Sequence, residues 1–243
     1  MSGSVKRFWR EVGVEQVESG GFTVALDQRP IRLPGGNRLV VPSHALAEAI
    51  ADEWRAIPPG ESFNAQALSL TRIAGTMIER VAPHRTQVID TLLGYGAADL
   101  LCYRSDERSI AQEQAALFDP ILGAFFLRYG VKPQVTDGIL PIPLDPRLEH
   151  ELRADLGRFS DAALAALGVI VPVLSSLFLG MSLVNGLIDE KQALEAAFID
   201  ERAQMRRWGE DVELLDQLAV KARDVNDACR FLFLARASEA NEA

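Results

Sequence analysis

The apolar repeat of this chain changes period once, near Ser43, and that change limits the folds open to it. Before it the repeat is two. Phe22, Val24 and Leu26 alternate with Thr23, Ala25 and Asp27, the spacing of a half-buried strand. Phe8 to Val17 reads as a strand before it, with Gly20-Gly21 as the turn between them. Asp27-Gln28 turns the chain again. Ile31 and Leu33 then lie between Pro30 and Pro34, as in an edge strand. Gly35-Gly36-Asn37 makes a further turn, and Leu39-Val40-Val41 closes the meander. After Ser43 the repeat lengthens to three or four. Leu46, Ile50, Trp54 and Ile57 share one helical face, and Ser43 stands where an N-cap belongs. Strands first and helices afterwards describe an α+β chain with segregated parts. The expected division is a small antiparallel β-rich N-terminal domain over 1–60 and a mainly α-helical C-terminal domain over 61–243.

Beyond Pro58-Pro59-Gly60 the chain reads as helical almost throughout. Leu70, Ile73, Met77 and Val81 form one stripe, and Pro83 opens a helix reaching about Leu93. Ser109 can cap a helix to Phe118, with Asp119-Pro120 starting another to Tyr129. Lys132 to Pro146 holds four prolines and no helical period, so it is expected to be extended and to lie against the β part. Leu148, Leu152, Leu156 and Phe159 resume a helix. A last helix, from about Val212 to Leu234, is expected to bury Leu215, Leu218, Ala222, Val225, Cys229 and Leu232.

Between Asp161 and Asp189 lie 27 residues without a charge, enough by length to cross a bilayer. Gly168, Pro172, Ser175, Ser176, Gly180 and Asn185 dilute the stretch, and no Lys/Arg or aromatic belt flanks it. It reads as two buried helices, the second opening at Pro172, with no membrane insertion. A net charge of −9 without a basic stripe argues against phosphate-tracking nucleic-acid binding and against anionic headgroups. Cys102 and Cys229 sit among apolar neighbours without CxxC spacing, as small buried hydrophobes of a reducing compartment do. The start, MSGSVKRFWR, has no apolar signal core, so a cytoplasmic bacterial protein is expected.

Motifs for chemistry are sparse. No phosphate loop, dinucleotide fingerprint or nucleophile elbow occurs, and His44, His84 and His150 are isolated. No cofactor or metal is expected. Tyr95, Asp99 and Tyr103 recur at intervals of four, with Asp99 read as a structural hydrogen-bond acceptor. The sharpest feature lies in Asp189 to Asp211, read as one helix. Leu194, Phe198, Met205 and Trp208 form a ladder whose missing rung is Glu201. A carboxylate among apolar rungs must pair internally, protonate, or face something outside the fold. An internal arginine partner and a recognition or catalytic role both remain open on this pattern. Asp189, Asp200 and Asp211 recur every 11 residues, roughly 16 Å along a helix, too far apart to share one metal. A hydrolytic or lyase-type enzyme using Glu201 or Asp200 as general acid/base stays as the alternative. Trp54 is read as core packing or, second, as a partner anchor.

Seven segments carry a resemblance when taken in order: KRFWREV, GGFTVALDQRPIRLP, PSHALAEAIADEW, LTRIAGTMIERV, YGAADLLCYR, FDPIL and IDERAQMRRWGED. They span residues 6 to about 211. In this order the chain resembles the assembly chaperone family for the alpha subunit of F1-ATPase. It departs from that family's pattern at Gln28, where glycine is favoured, at Leu33, where threonine is, and at Phe118, where tryptophan is. The resemblance implies a β-rich N-terminal domain, a helical C-terminal domain, and a non-enzymatic role. In that role the protein binds unassembled alpha, keeps it from aggregating and yields to beta. It implies that the Asp200-Glu201 pair is functionally sensitive, with Trp54 second; Trp208 completes the expected partner-binding set. A monomer is expected. Eukaryotic relatives of the family would act in the mitochondrial matrix.

Overall fold

A computed structural model describes residues 5–64 and 67–237. The period-two segment forms a four-stranded antiparallel sheet. Strand β2 (Val12–Gln16) pairs along its whole length with β3 (Phe22–Leu26), from Val12 opposite Leu26 to Gln16 opposite Phe22. The other edge of β3 is shared. Strand β4 (Arg29–Pro30) takes the Leu26 end, and β5 (Val40–Val41) takes the Phe22 end. A separate ribbon pairs β1 (Val5–Lys6) with β6 (Ser62–Phe63). The first long strand is shorter than the sequence implies, because Trp9 leaves the sheet direction and is buried, 3% exposed, in an aromatic cluster. Asp27 and Gln28 both take left-handed backbone angles, φ +47° and +66°. Glycine adopts such angles without a Cβ penalty, so Gln28 accepts strain at the turn where the resembling family prefers glycine.

Helix α1 (His44–Arg55) lies against β2 and β3 and buries Leu46 and Ile50 completely. Its cap Ser43 works twice. The Oγ accepts from Leu46 N at 3.0 Å and donates to the Leu234 carbonyl at 2.6 Å. Helix α2 (Ser69–Thr76) packs on α1 but has no cap of its own, since Leu68 stands at its N-cap position. Glu53 of α1 replaces it. Its carboxylate accepts from Leu70 N at 2.7 Å, Thr71 N at 2.9 Å and the Thr71 hydroxyl at 2.8 Å. A negative charge on the open N–H groups of a helix start is favourable. Beyond α2 the helix widens into a π turn (Met77–Val81) and a 3-10 turn (Ala82–His84) before α3 (Arg85–Gly96).

The remaining helices are α4 (Arg108–Tyr129), α5 (Pro146–Arg158), α6 (Asp161–Leu174), α7 (Leu177–Val184), α8 (Glu190–Ala197), α9 (Ile199–Trp208) and α10 (Val212–Arg236). Several differ from the sequence reading. Helix α4 is continuous, and Pro120 lies inside it. The carbonyl that proline deprives belongs to Ala116, on the exposed side, where water can satisfy it. Helix α6 runs through both Gly168 and Pro172, and the break falls later, at Ser175 with φ +51°. Ser176 then caps α7, its Oγ accepting from Leu179 N at 2.9 Å. In α10, Leu215 is 40% exposed and Ala222 and Cys229 are half-buried, while Ala228 and Phe231 are fully buried. No helix among the described residues is long and apolar enough to cross a membrane.

The chain divides into two compact units. One comprises the residues up to Arg85 with Ser160–Ala166 and the chain from Asp227 onward; the other comprises Thr86–Phe159 and Leu167–Asn226. In the second, Phe118, Leu148, Leu152, Leu156 and Phe178 are wholly buried. Gly180 sets the approach of α7 to α6, because a Cβ there would lie 2.6 Å from Val171 Cγ2. Lys132 to Pro146 is extended as expected, but its backbone partners are Cys102 and Arg104. Thr136 N donates to the Cys102 carbonyl at 2.9 Å, and Arg104 N donates to the Thr136 carbonyl at 2.8 Å. Asp155 holds α4 to α5, accepting from Arg128 at 2.6 Å and from the Tyr129 hydroxyl at 2.8 Å.

Asp99 is fully buried and fastens a short 3-10 turn (Leu100–Cys102) to the start of α7. It accepts from Leu101 N at 3.0 Å, the Ser176 hydroxyl at 2.7 Å and Phe178 N at 3.0 Å. Burial, opposed by those hydrogen bonds, pushes its carboxyl up to about 7.

Two outcomes are expected. Removing the borrowed cap by Glu53→Ala leaves several donors unanswered and should cost roughly 2 kcal/mol, about half of which Glu53→Gln should retain. Urea unfolding followed by circular dichroism checks both. For Asp99 the folded value lies above that of an unfolded aspartate, about 3.9. Its contribution is therefore complete below about 3.9 and is lost as pH rises towards 7. The stability of the wild-type chain relative to Asp99→Asn should fall between about pH 4 and about pH 7 and level off above. A constant difference across that range contradicts the assignment.

Candidate functional site

Asp189 to Asp211 is two helices. Asp189 caps α8 with a reciprocal box, accepting from Gln192 N at 2.7 Å while Gln192 Oε1 accepts from Asp189 N at 2.9 Å. The run stops at Phe198 (φ −110°, ψ 24°), which is buried beneath the ammonium of Lys221, 5.6 Å from the ring centroid. Helix α9 then starts afresh and rotates the ladder. Ile199 and Ala203 are buried, Glu201 and Met205 are half-buried, and Trp208 is 76% exposed. The break at Phe198 therefore takes Glu201 off the continuous apolar face that an unbroken helix would give it.

Helix α9 packs against α4 through polar clips. Gln114 is buried in α4, 3% exposed, and bridges two segments. Its Nε2 donates to Asp200 Oδ1 at 2.8 Å, and its Oε1 accepts from Ser105 N at 2.7 Å. A turn later Arg206 pairs with Glu113 at 2.6 Å, and Arg207 with Glu107 at 2.9 Å. Both pairs are exposed, so each contributes about 0–1 kcal/mol, and their effect is mainly on register. The Arg207 guanidinium also lies 5.2 Å from the Trp208 ring centroid. Gly209, at φ +96°, ends the helix.

These clips neutralise Arg206 and Arg207, and the exposed Arg202 lies outside them beside the Asp200-Glu201 pair. Asp200 accepts a neutral hydrogen bond. The Glu201 side chain makes no hydrogen bond or ion pair with any described residue. Beside α9 runs a groove of about 360 Å³, bordered by Tyr103, Ser105, Gln114, Asp200, Arg207 and Trp208. The structure thus brings Asp200 and Trp208 to one groove and places Glu201 next to Asp200 on the same helix.

Trp54 stands apart, in the unit that holds the sheet. Its Nε1 donates to Thr71 Oγ1 at 3.0 Å, and its ring meets Trp9 and Phe63 edge-on at 5.0 and 5.7 Å. Half-buried and fully engaged there, it packs the cluster over the Glu53 cap. No pattern in the sequence singles out Gln114, one glutamine among several polar residues of α4. Nor does any pattern reveal Glu107 and Glu113, whose partners lie roughly a hundred residues away.

The groove can bind, but its chemistry is thin. Among the described residues that line it, Asp200 is the one carboxylate, and no histidine borders it. General acid–base work needs a second titratable group within reach of the first. Among the described residues no cluster of three or more His, Cys, Asp or Glu is placed to hold a metal. The lining of hydroxyl, amide, guanidinium and indole groups suits a polypeptide surface.

Residues 6–125 match the family model described as ATP12 chaperone protein. The crystal structure of Atp12 from Paracoccus denitrificans is similar at 38% identity and a TM-score of 0.86, covering 95% of this chain and 98% of that one. A mutant of that protein, with an aspartate replaced by lysine, matches equally well. A protein of Agrobacterium tumefaciens, described as a chaperone candidate, is 32% identical with a TM-score of 0.86, over 93% of this chain and 85% of that one. With identity at this level over nearly the full length of both chains, this chain belongs to the ATP12 chaperone family.

Proposed function

We propose that this protein binds the newly made alpha subunit of F1-ATPase before assembly, shields its exposed apolar surface, and releases it when beta arrives. An unassembled subunit presents surface meant for its neighbour, which is a standing aggregation hazard. Shielding it calls for a complementary face and for no bond-making step. Release without fuel calls for an interface weaker than the one that replaces it, so the surface should be moderate in extent and partly polar. The α9 face has that character. It joins an exposed tryptophan, a small groove, the acidic Asp200-Glu201 pair and the exposed Arg202, while Arg206 and Arg207 are already paired. The observation that carries the reading is Glu201, whose side chain is half-buried and without a partner among the described residues, on a fold shared over nearly the full length with Paracoccus Atp12.

Within the acidic pair the two residues have different work. Asp200 is tied through Gln114 to Ser105, so it sets the seat of α9 on α4. Glu201 is free to meet a basic group of the client, where a desolvated charge pair contributes specificity and slows dissociation. Trp208 supplies apolar contact beside it, and Trp54 holds the sheet-bearing unit in shape. The protein works as a monomer in the bacterial cytoplasm, without a cofactor and without entering the membrane.

The test is light scattering of alpha subunit diluted from urea, with the chaperone at equimolar ratio and no ATP. The wild-type chain should suppress scattering. Glu201→Lys should keep its circular dichroism spectrum and melting temperature yet bind alpha at least about 10-fold more weakly, the loss expected when a paired charge meets its like. Glu201→Gln should fall between them. A folded Glu201→Lys protein that suppresses aggregation as well as wild type removes Glu201 from the contact.

A further inference from the structure

Five of the twelve strongly exposed large apolar side chains among the described residues fall within fifteen positions. They are Phe126, Leu127, Val135, Ile139 and Leu140. Ile139 is 96% exposed and Leu140 77%. Scattered singly such residues mean little; gathered in one stretch they mark a contact surface. Phe126 and Val135 line a second groove, of about 780 Å³, between the C-terminal half of α4 and the extended segment that follows it, and Ile139 and Leu140 stand further along that same segment. The groove is open at Gly123, where a Cβ would meet no atom within 4 Å.

This edge is braced. Thr136 is hydrogen-bonded through its backbone to Cys102 and Arg104, and its Oγ1 accepts from Gly138 N at 2.9 Å. Pro141 and Pro143 stiffen the far side of the tip. Ile139 and Leu140 are thus held outward by a fixed turn and contact no core. Presenting a rigid apolar pair lowers the ordering cost of binding.

The charges on the groove select its occupant. Arg104 is paired with Asp119 at 2.5 Å and stacked on Phe118, 5.0 Å from the ring centroid. That leaves Lys132, exposed and without an ion pair among the described residues, as the uncompensated charge. Arg104 also lines the groove beside α9, so the two grooves adjoin. From Gln114 to Phe126 is 12 residues of α4, about 18 Å. Asp200, the neighbour of Glu201 on α9, lines one end of this surface and Lys132 lines the other, with Leu122 and Phe126 between. We infer that the client surface continues from α9 along α4 into this groove. There it takes an apolar segment of the alpha subunit with an acidic group at the Lys132 end and a basic group at the Glu201 end. About five extended residues span that distance, at roughly 3.3 Å each. The inference rests on the alpha-binding reading above. A second copy of this chain is disfavoured as occupant by its net charge of −9, as are anionic lipid and nucleic acid.

The experiment measures affinity for purified alpha subunit by competition in the scattering assay, with sedimentation of the chaperone alone in parallel. The variants are Ile139→Ser/Leu140→Ser, Lys132→Glu, and Phe233→Ser as an exposed apolar control in the other unit. The double variant should keep its melting temperature and lose at least about 10-fold in affinity. Lys132→Glu should lose several-fold, and more at low salt than at high. Phe233→Ser should bind as wild type. If Glu201→Lys weakens binding and neither the double variant nor Lys132→Glu does, this second groove is not a client contact while the proposed function stands. If the wild-type chain itself fails to bind alpha, the proposed function fails first. A wild-type dimer that the double variant dissociates, with affinity for alpha unchanged, assigns the patch to self-association and overturns the inference.

Discussion

The seat of α9 on α4 is the constraint on which the rest of the site depends. It is made by one buried amide and two surface ion pairs. Gln114 answers Asp200 with its nitrogen and Ser105 with its oxygen, so a single side chain fixes helix, helix and loop together. Arg206 and Arg207 reach back to Glu113 and Glu107. These contacts hold the helix in register and consume two of its three arginines. What remains is the Asp200-Glu201 pair, the exposed Arg202 and the exposed Trp208.

The break at Phe198 belongs to the same logic. An unbroken helix from Asp189 would carry Glu201 on a rung flanked by Phe198 and Met205, where an internal partner would be obligatory. By stopping α8 and starting α9 one residue later, the chain turns Ile199 and Ala203 inward and leaves Glu201 half in water. A partly hydrated carboxylate avoids most of the desolvation penalty in the free protein, and a partner can remove that water on binding. This lets one residue be tolerable alone and selective when covered.

The α+β order, the turn at Asp27-Gln28 and the cap at Ser43 are readable because each is local. Alternation, turn chemistry and capping act over a few residues. The misplaced boundaries have a common cause in distant partners. Pro172 marks a helix start by local rules, yet α7 begins at Leu177 behind its cap Ser176. The break falls there because Asp99 supplies an acceptor to the Ser176 hydroxyl from 77 residues away. Pro120 marks a boundary too, but burial of Phe118 and Ile121 on either side carries α4 through it. The cap that Glu53 lends to α2 is likewise invisible to spacing. At the site, Glu201 can be singled out as an anomaly in a ladder. Its true surroundings depend on α4, which no pattern within IDERAQMRRWGED reveals.

Whether the Glu201 carboxylate is covered by the client can be measured directly by carboxyl labelling and mass spectrometry of the chaperone, free and in complex with alpha subunit. Glu201 should be readily labelled in the free protein and protected several-fold in the complex, while Glu15 on β2 is labelled equally in both. Equal labelling of Glu201 in the two states, with complex formation confirmed, would contradict it.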